Sequence, residues 1–211
     1  MVELIERKSI FDKYKIIASE VSKIQKAYFS NDVYSDIELE DEKIEYKSRF
    51  DAINYDEISI KYDIKILTIN STHTRSFPKK LFETLLKLFE ELDINGLFIL
   101  LDLKINYYLS LNSNKYKPLV RRYNKLEGIT HSKYYDEAFY LSILSEDIVE
   151  IIFWLSRCCP YMNTIMLFDK NERYYLNICQ WGNIHIVGVN ENTIPEKGTF
   201  KKIGLEIIER C

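Results

Sequence analysis

A chain of 211 residues is long enough for a substantial core, and 46% hydrophobic against 29% charged residues at a net charge of −3 excludes a disordered chain. Only 6 Gly and 4 Pro stand against 16 Tyr and 11 Phe, which leaves little material for long loops. Of the four Cys, Cys158 and Cys159 are adjacent while Cys179 and Cys211 stand apart, which excludes a disulfide framework and any CxxC pair for metal or redox work. A reducing cytoplasm fits this usage, and AT-rich coding accounts for the surplus of Tyr, Ile, Lys and Asn.

Residues 1–8 carry charges where an export signal needs an apolar core. The most apolar stretches, 97–101 and 148–155, fall well short of the roughly 18 apolar residues of a membrane helix, so a soluble cytoplasmic protein is expected. Ile10, Phe11, Tyr14, Ile17, Val21 and Ile24 recur at helical spacing, predicting an amphipathic helix over Ser9 to Tyr28 with Ser9 as its cap. Lys43 to Phe50 alternates and predicts a strand, and Glu57 to Asn70, with Ile58, Ile60, Tyr62, Ile64 and Ile66, predicts another.

The rest of the chain is organised by an internal match. A shift of 67 residues aligns Pro78 to Leu111 with Ser145 to Ile178 without a gap. Glu83/Glu150, Leu88/Leu155, Leu100/Leu167, Asp102/Asp169, Tyr107/Tyr174, Tyr108/Tyr175 and Leu109/Leu176 are identical, and pairs that differ often keep apolar character, as in Leu81/Ile148 and Leu85/Ile152. Each copy predicts a helix, Pro78 to Leu92 with Pro78 in its first turn, and a second capped by Ser145 and ended by Pro160. A hairpin follows in each, Leu97 to Leu101 with Tyr107 to Leu111, and Thr164 to Phe168 with Tyr174 to Cys179. A third strand follows at Tyr116 to Arg122 and, after the Gly182-Asn183 turn, at Ile184 to Val189. With Glu137 to Leu144 as the strand before the second helix, the expected fold is α+β, two tandem β-α-β-β-β repeats of a helix packed on antiparallel sheet, preceded by an N-terminal amphipathic helix and strand. The divisions are 1–56, 57–123, 136–190 and a C-terminal extension, 191–211, packed as one compact unit. Thr199 to Arg210 fits neither helix nor strand, because Gly204 weakens the one and Ile207-Ile208 the other.

Motifs for chemistry are sparse. No Gly-rich phosphate loop, GxSxG turn or HExxH helix is present. The residues two after His73, His131 and His185 are Arg75, Lys133 and Val187, so the His-x-Ser/Thr strands of two-lobed phosphoesterases are absent too. His73 and His131 with Lys79 or Lys133 leave room for a metal-independent ribonuclease. Asp102 and Asp169 enter short hairpins, where an Asp bonds its own turn, and each Tyr-Tyr pair is expected to send one ring inward and one outward. No catalytic residue, cofactor or metal site is assigned.

Charge distribution is more informative. Between Asn31 and Glu57 ten acids face Lys43, Lys47 and Arg49, a net of −7, while Lys115, Lys117, Arg121, Arg122 and Lys125 form a basic stripe. In general character, small, acidic and rich in Tyr and Asn, the chain resembles immunity proteins made alongside toxins. That resemblance implies a non-enzymatic protein-binding module of immunity or antitoxin type that blocks a basic partner such as a toxin nuclease. Asp36, Glu38, Glu40, Asp41, Glu42 and Glu45 would then mimic phosphates, with Tyr34 and Tyr46 as anchors. Two further functions compete with this one: RNA binding through residues Lys115 to Lys125, and small-molecule binding in a pocket between the repeats.

Overall fold

The computed structural model describes residues 2–30, 37–51, 53, 58–70, 76–104, 137–158, 165–190 and 194–211. In chain order its elements are β1 (Val2–Glu6), α1 (Arg7–Lys13), α2 (Lys15–Ser30), α3 (Glu40–Lys47), β2 (Tyr62–Ile69), α4 (Phe77–Glu91), β3 (Leu97–Leu101), β4 (Glu137–Leu141), α5 (Glu146–Cys158), β5 (Ile165–Asp169), β6 (Tyr174–Ile178), β7 (Ile184–Val189), α6 (Lys197–Lys202) and β8 (Leu205–Ile208). The fold is α+β: among the described residues eight strands form one sheet in the order β1-β4-β3-β5-β6-β7-β2-β8, with every pairing antiparallel.

The central strands are apolar on both faces. Leu97 and Ile99 of β3, with Ile165 and Leu167 of β5, join Leu81, Leu85 and Leu88 of α4 and Ile148, Ile152 and Leu155 of α5 in the larger core. Phe98, Leu100, Met166 and Phe168 point the other way and meet Ile10, Phe11, Ile17, Ala18 and Val21 of α1 and α2. Helices therefore cover both faces, as strands without a polar side require.

β3 and β5 are the corresponding strands of the two matched segments, and they pair with each other: Phe98 with Phe168, Ile99 with Leu167, Leu100 with Met166, Leu101 with Ile165. The same shift of 67 residues carries the Ile99–Leu167 pair onto Leu100–Met166, and Phe98–Phe168 onto Leu101–Ile165. The register thus has local two-fold symmetry. An axis normal to the sheet sends both helices to one face, where α4 and α5 are found in contact. Among the described residues the likeness covers the strand–helix–strand portions β2-α4-β3 and β4-α5-β5, while the places of β2 and β4 in the sheet differ. β6 and β7 lie between β5 and β2, whereas β4 lies directly against β3. The remaining expected strands of the first copy, Tyr107 to Leu111 and Tyr116 to Arg122, fall outside the described residues.

Several local expectations are corrected. Lys43 to Phe50 is not a strand. Glu40, Asp41 and Glu42 occupy the first turn of α3 and Lys47 its last, the charge order that a helix dipole favours, and Lys43 reaches back to Glu40 at 2.9 Å. The helix expected over Ser9 to Tyr28 is two helices broken at Tyr14, whose backbone is extended. Ser9 lies inside α1 and is no cap. The start of α2 is instead held from across the sheet, since the backbone N–H groups of Ile16 and Ile17 donate to Oε1 of Glu172, in the β5–β6 turn, at 2.7 and 3.1 Å. The strand expected from Glu57 begins only at Tyr62. The C-terminal stretch is a short helix and a strand joined at Gly204, whose φ of 86° suits a residue without Cβ.

The N-terminal layer is fastened by one buried ion pair. Arg7, 1% exposed, donates from Nη2 to Asp51 Oδ2 at 2.6 Å and from Nη1 to the carbonyl of Leu101 at 2.8 Å. Gln25 of α2 donates to the same Asp51 carboxylate at 2.9 Å and accepts from the Asp51 backbone N–H at 3.0 Å. Removing one partner of such a pair leaves the other charged and desolvated. Asp51→Ala is therefore expected to lower unfolding free energy by about 3–5 kcal/mol, whereas Glu40→Ala is expected to leave the urea midpoint nearly unchanged, both read from urea transitions.

Candidate functional site

The acidic segment keeps its charge outward. Glu38, Glu40, Asp41 and Glu42 are exposed, and α3 buries none of its residues. The Lys43 side chain, by hydrogen bond and charge, holds the Glu40 carboxyl below its usual range. Glu45 is drawn toward its own chain, with Arg49 Nη2 at 3.3 Å. Tyr46 is half-buried and packs on Phe50 with ring centroids 5.1 Å apart, so it is engaged within the chain. Tyr34 and Asp36, also expected to meet the partner, lie outside the described residues, as do His73, His131 and 115–125.

What the charge pattern did not announce is a pair of large apolar side chains among these acids. Leu39 is 61% exposed and Ile44 64% exposed. Eight residues are too few for a helix to hold itself in water, and with no fully buried residue α3 draws little support from packing beyond the contact of Tyr46 with Phe50. Below α3, Phe50 is buried and Asp51 is locked to Arg7, while the Arg49 carbonyl accepts from Lys104 N–H at 2.8 Å just beyond β3. The segment is thus moored at its C-terminal end and displayed along its length.

The matched acids have diverged in use. Asp169 behaves as its turn requires, accepting from the Asn171 N–H at 3.2 Å and from Arg173 Nε at 2.8 Å. Asp102, fully buried, takes a 2.7 Å bond from the hydroxyl of Tyr28, and Gln25 Nε2 donates to its carbonyl at 2.7 Å, so it anchors α2. Burial and the Asp102 charge push the Tyr28 phenol well above its ordinary range. Tyr174 and Tyr175 both turn inward, to opposite faces, where one inward and one outward ring was expected. The Tyr175 phenol, raised by burial and then by the Glu20 charge, donates to Glu20 Oε2 at 3.1 Å. The same buried carboxylate accepts from Tyr62 at 2.5 Å and Lys23 at 3.0 Å. Asp102 and Glu20 thus serve the packing of α2.

A pocket of about 480 Å³ is lined by Lys80, Glu83 and Lys87 of α4 with Lys201, Lys202 and Glu206 of the C-terminal extension. Its lining comes from α4, Asn70 and the C-terminal extension, so it does not lie between the two matched segments.

The fold also assembles three groups whose spacing gave no sign of a site. Cys179, His185 and Cys211 converge, with Cys179 Sγ 3.6 Å from Cys211 Sγ and His185 Nε2 3.0 Å from Cys211 Sγ. Burial pushes the Cys179 thiol up, opposed by the backbone N–H groups of Trp181 and Asn183 directed at it, and burial pushes His185 down. Compared with known proteins, the chain matches no family model, no curated protein and no solved structure. Among the described residues no helix is long and apolar enough to cross a membrane.

Tyr28 and Tyr175 yield a pH prediction. A phenol whose pKa is raised in the folded state stays protonated above the ordinary value of 10.0, where the unfolded chain releases its proton, so stability is intact below that value and falls as pH rises past it. The Y28F/Y175F double variant is expected to lose about 2–5 kcal/mol at neutral pH and to show a flatter decline above pH 10.0, read from urea midpoints across the alkaline range.

Proposed function

We propose that this chain is a non-enzymatic binding protein that captures a basic protein through α3 and the residues leading into it. The observation that carries this reading is the exposure of Leu39 and Ile44 amid Glu38, Glu40, Asp41 and Glu42. Apolar anchors supply affinity by leaving water, and an acidic surround selects a partner of opposite charge and speeds its approach. The helix supplies both on a surface that its own fold does not use. A toxin nuclease, whose working cleft must be basic to hold phosphates, is the partner class that fits this charge and the small acidic character of the chain. In that role Glu38, Glu40, Asp41 and Glu42 stand where phosphates would, and Leu39 and Ile44 take the place of Tyr46, which packs on Phe50, as proposed anchors beside Tyr34.

Immobilised wild-type protein and two variants, E40K/D41K/E42K and L39S/I44S, are exposed to lysate of the source cells at low and at high salt. The wild type is expected to retain a basic protein that both variants lose. With that protein purified, the charge-reversed variant should associate at least about tenfold more slowly at low salt, with the difference shrinking as salt rises. Equal capture by all three proteins, or association rates independent of salt, would contradict the proposal.

A further inference from the structure

Cys179, His185 and Cys211 come from three different places, and the sheet explains how they meet. The β6–β7 hairpin pairs Ile178 with Ile184, so Cys179 and His185 flank its turn, closed by Gly182 N–H donating to the Cys179 carbonyl at 2.8 Å. Gly182 has a φ of 81°, and a Cβ there would come within 2.6 Å of the Phe77 ring. Across the sheet His185 pairs with Ile66, and Ile66 with Ile208. The three residues after β8 therefore have only the width of β2 to cross before reaching His185. Ile184 and Ile186 point into the larger core, so alternation places His185 on the opposite face, and it is half-buried there.

We infer that Cys179, His185 and Cys211 form a binding site for a thiophilic divalent metal of the zinc class, with two thiolates and one imidazole as ligands. The geometry is close to what such an ion demands. With metal–sulfur bonds of about 2.3 Å and metal–nitrogen bonds of about 2.0 Å, tetrahedral ligand atoms sit about 3.8 Å apart for two sulfurs and about 3.5 Å apart for sulfur and nitrogen. The sulfurs here are 3.6 Å apart, the His185–Cys211 distance is 3.0 Å, and all three donor atoms lie within 4.8 Å of one another. Separations of this size are far from the roughly 2.05 Å of a disulfide. An outer hydrogen bond of the kind that orients a metal ligand is in place, since Asn183 Nδ2 donates to Cys211 Sγ at 3.4 Å. Two soft thiolates and an imidazole select against magnesium and calcium, which take oxygen ligands. Three protein donors leave the fourth position for water or an incoming ligand. Metal binding would displace the thiol protons as the bonds form and fasten the chain after β8 to the β6–β7 turn.

The experiment adds Co2+, then Zn2+, to the reduced full chain in the presence of a non-chelating phosphine reductant. One equivalent of Co2+ is expected to give the thiolate charge-transfer and intensified visible bands of a tetrahedral centre, and Zn2+ to erase them. C179S, H185Q and C211S should each weaken Zn2+ binding by more than about 100-fold, since loss of an outer-sphere partner alone costs about 10–100-fold. Because Cys211 is exposed and lies beyond the last strand, C211S is expected to fold with an unchanged dichroism spectrum. C158S/C159S should bind as wild type does. No tetrahedral spectrum in the reduced protein, or binding that survives C211S and is lost in C158S/C159S, would overturn the assignment.

Discussion

The contact on which the rest of the molecule depends is the pairing of β3 with β5. Both strands are apolar on both sides, so neither can end a sheet or face water, and the chain must supply helices above and below them. On one face α4 and α5 do this from within the two matched segments. On the other, α1 and α2 arrive from the N-terminus, and because they belong to neither segment their attachment is made separately. Arg7 with Asp51 ties α1 to the residues after α3, Tyr28 ties α2 to Asp102, and the Glu172 carboxylate closes the first turn of α2. The second layer is therefore held to the first by charge-assisted bonds at points where β3 and β5 end. Those bonds carry more than their usual worth because they are buried.

The parts of this architecture that were legible in the sequence are those whose pattern is longer than the ambiguity it must resolve. Leu81, Leu85 and Leu88 recur at helical spacing within the 15 residues of α4, and the match between the two segments recruits α5 to the same reading. α3 spans only eight residues, and over that length Ile44 and Tyr46 set among charges satisfy a period of two, while on a helix i and i+2 do not share a face. The signal that favours helix there is the order of charge, acids first and Lys47 last, which periodicity does not weigh. The break at Tyr14 is invisible in the sequence because its compensation, Glu172, lies on a distant turn. The local two-fold register of β3 with β5 agrees with the match between the two segments, but the position of β4 against β3 does not follow from it, since strand order is set by which edges remain open.

Functional residues divide the same way. A run of acids is read directly, and the exposed state of Glu38, Glu40, Asp41 and Glu42 agrees with it. Leu39 and Ile44 are ordinary core candidates in a sequence and acquire meaning only once the fold leaves them outside. Cys179, His185 and Cys211 have no motif spacing, because two of the three are brought together by β2 standing between β7 and β8. Conversely Asp102, whose recurrence with Asp169 suggests a turn residue, is explained by a helix tether that no local rule describes.

Stability thus resides in β3 and β5 while α3 is left for recognition, a division that native-state hydrogen exchange reads residue by residue. The amides of Leu97–Leu101 and Ile165–Asp169 are predicted to exchange only through global unfolding, and those of Glu40–Lys47 through local opening at least about 3 kcal/mol less costly. Protection of α3 equal to that of the central strands, in the isolated chain, would contradict it.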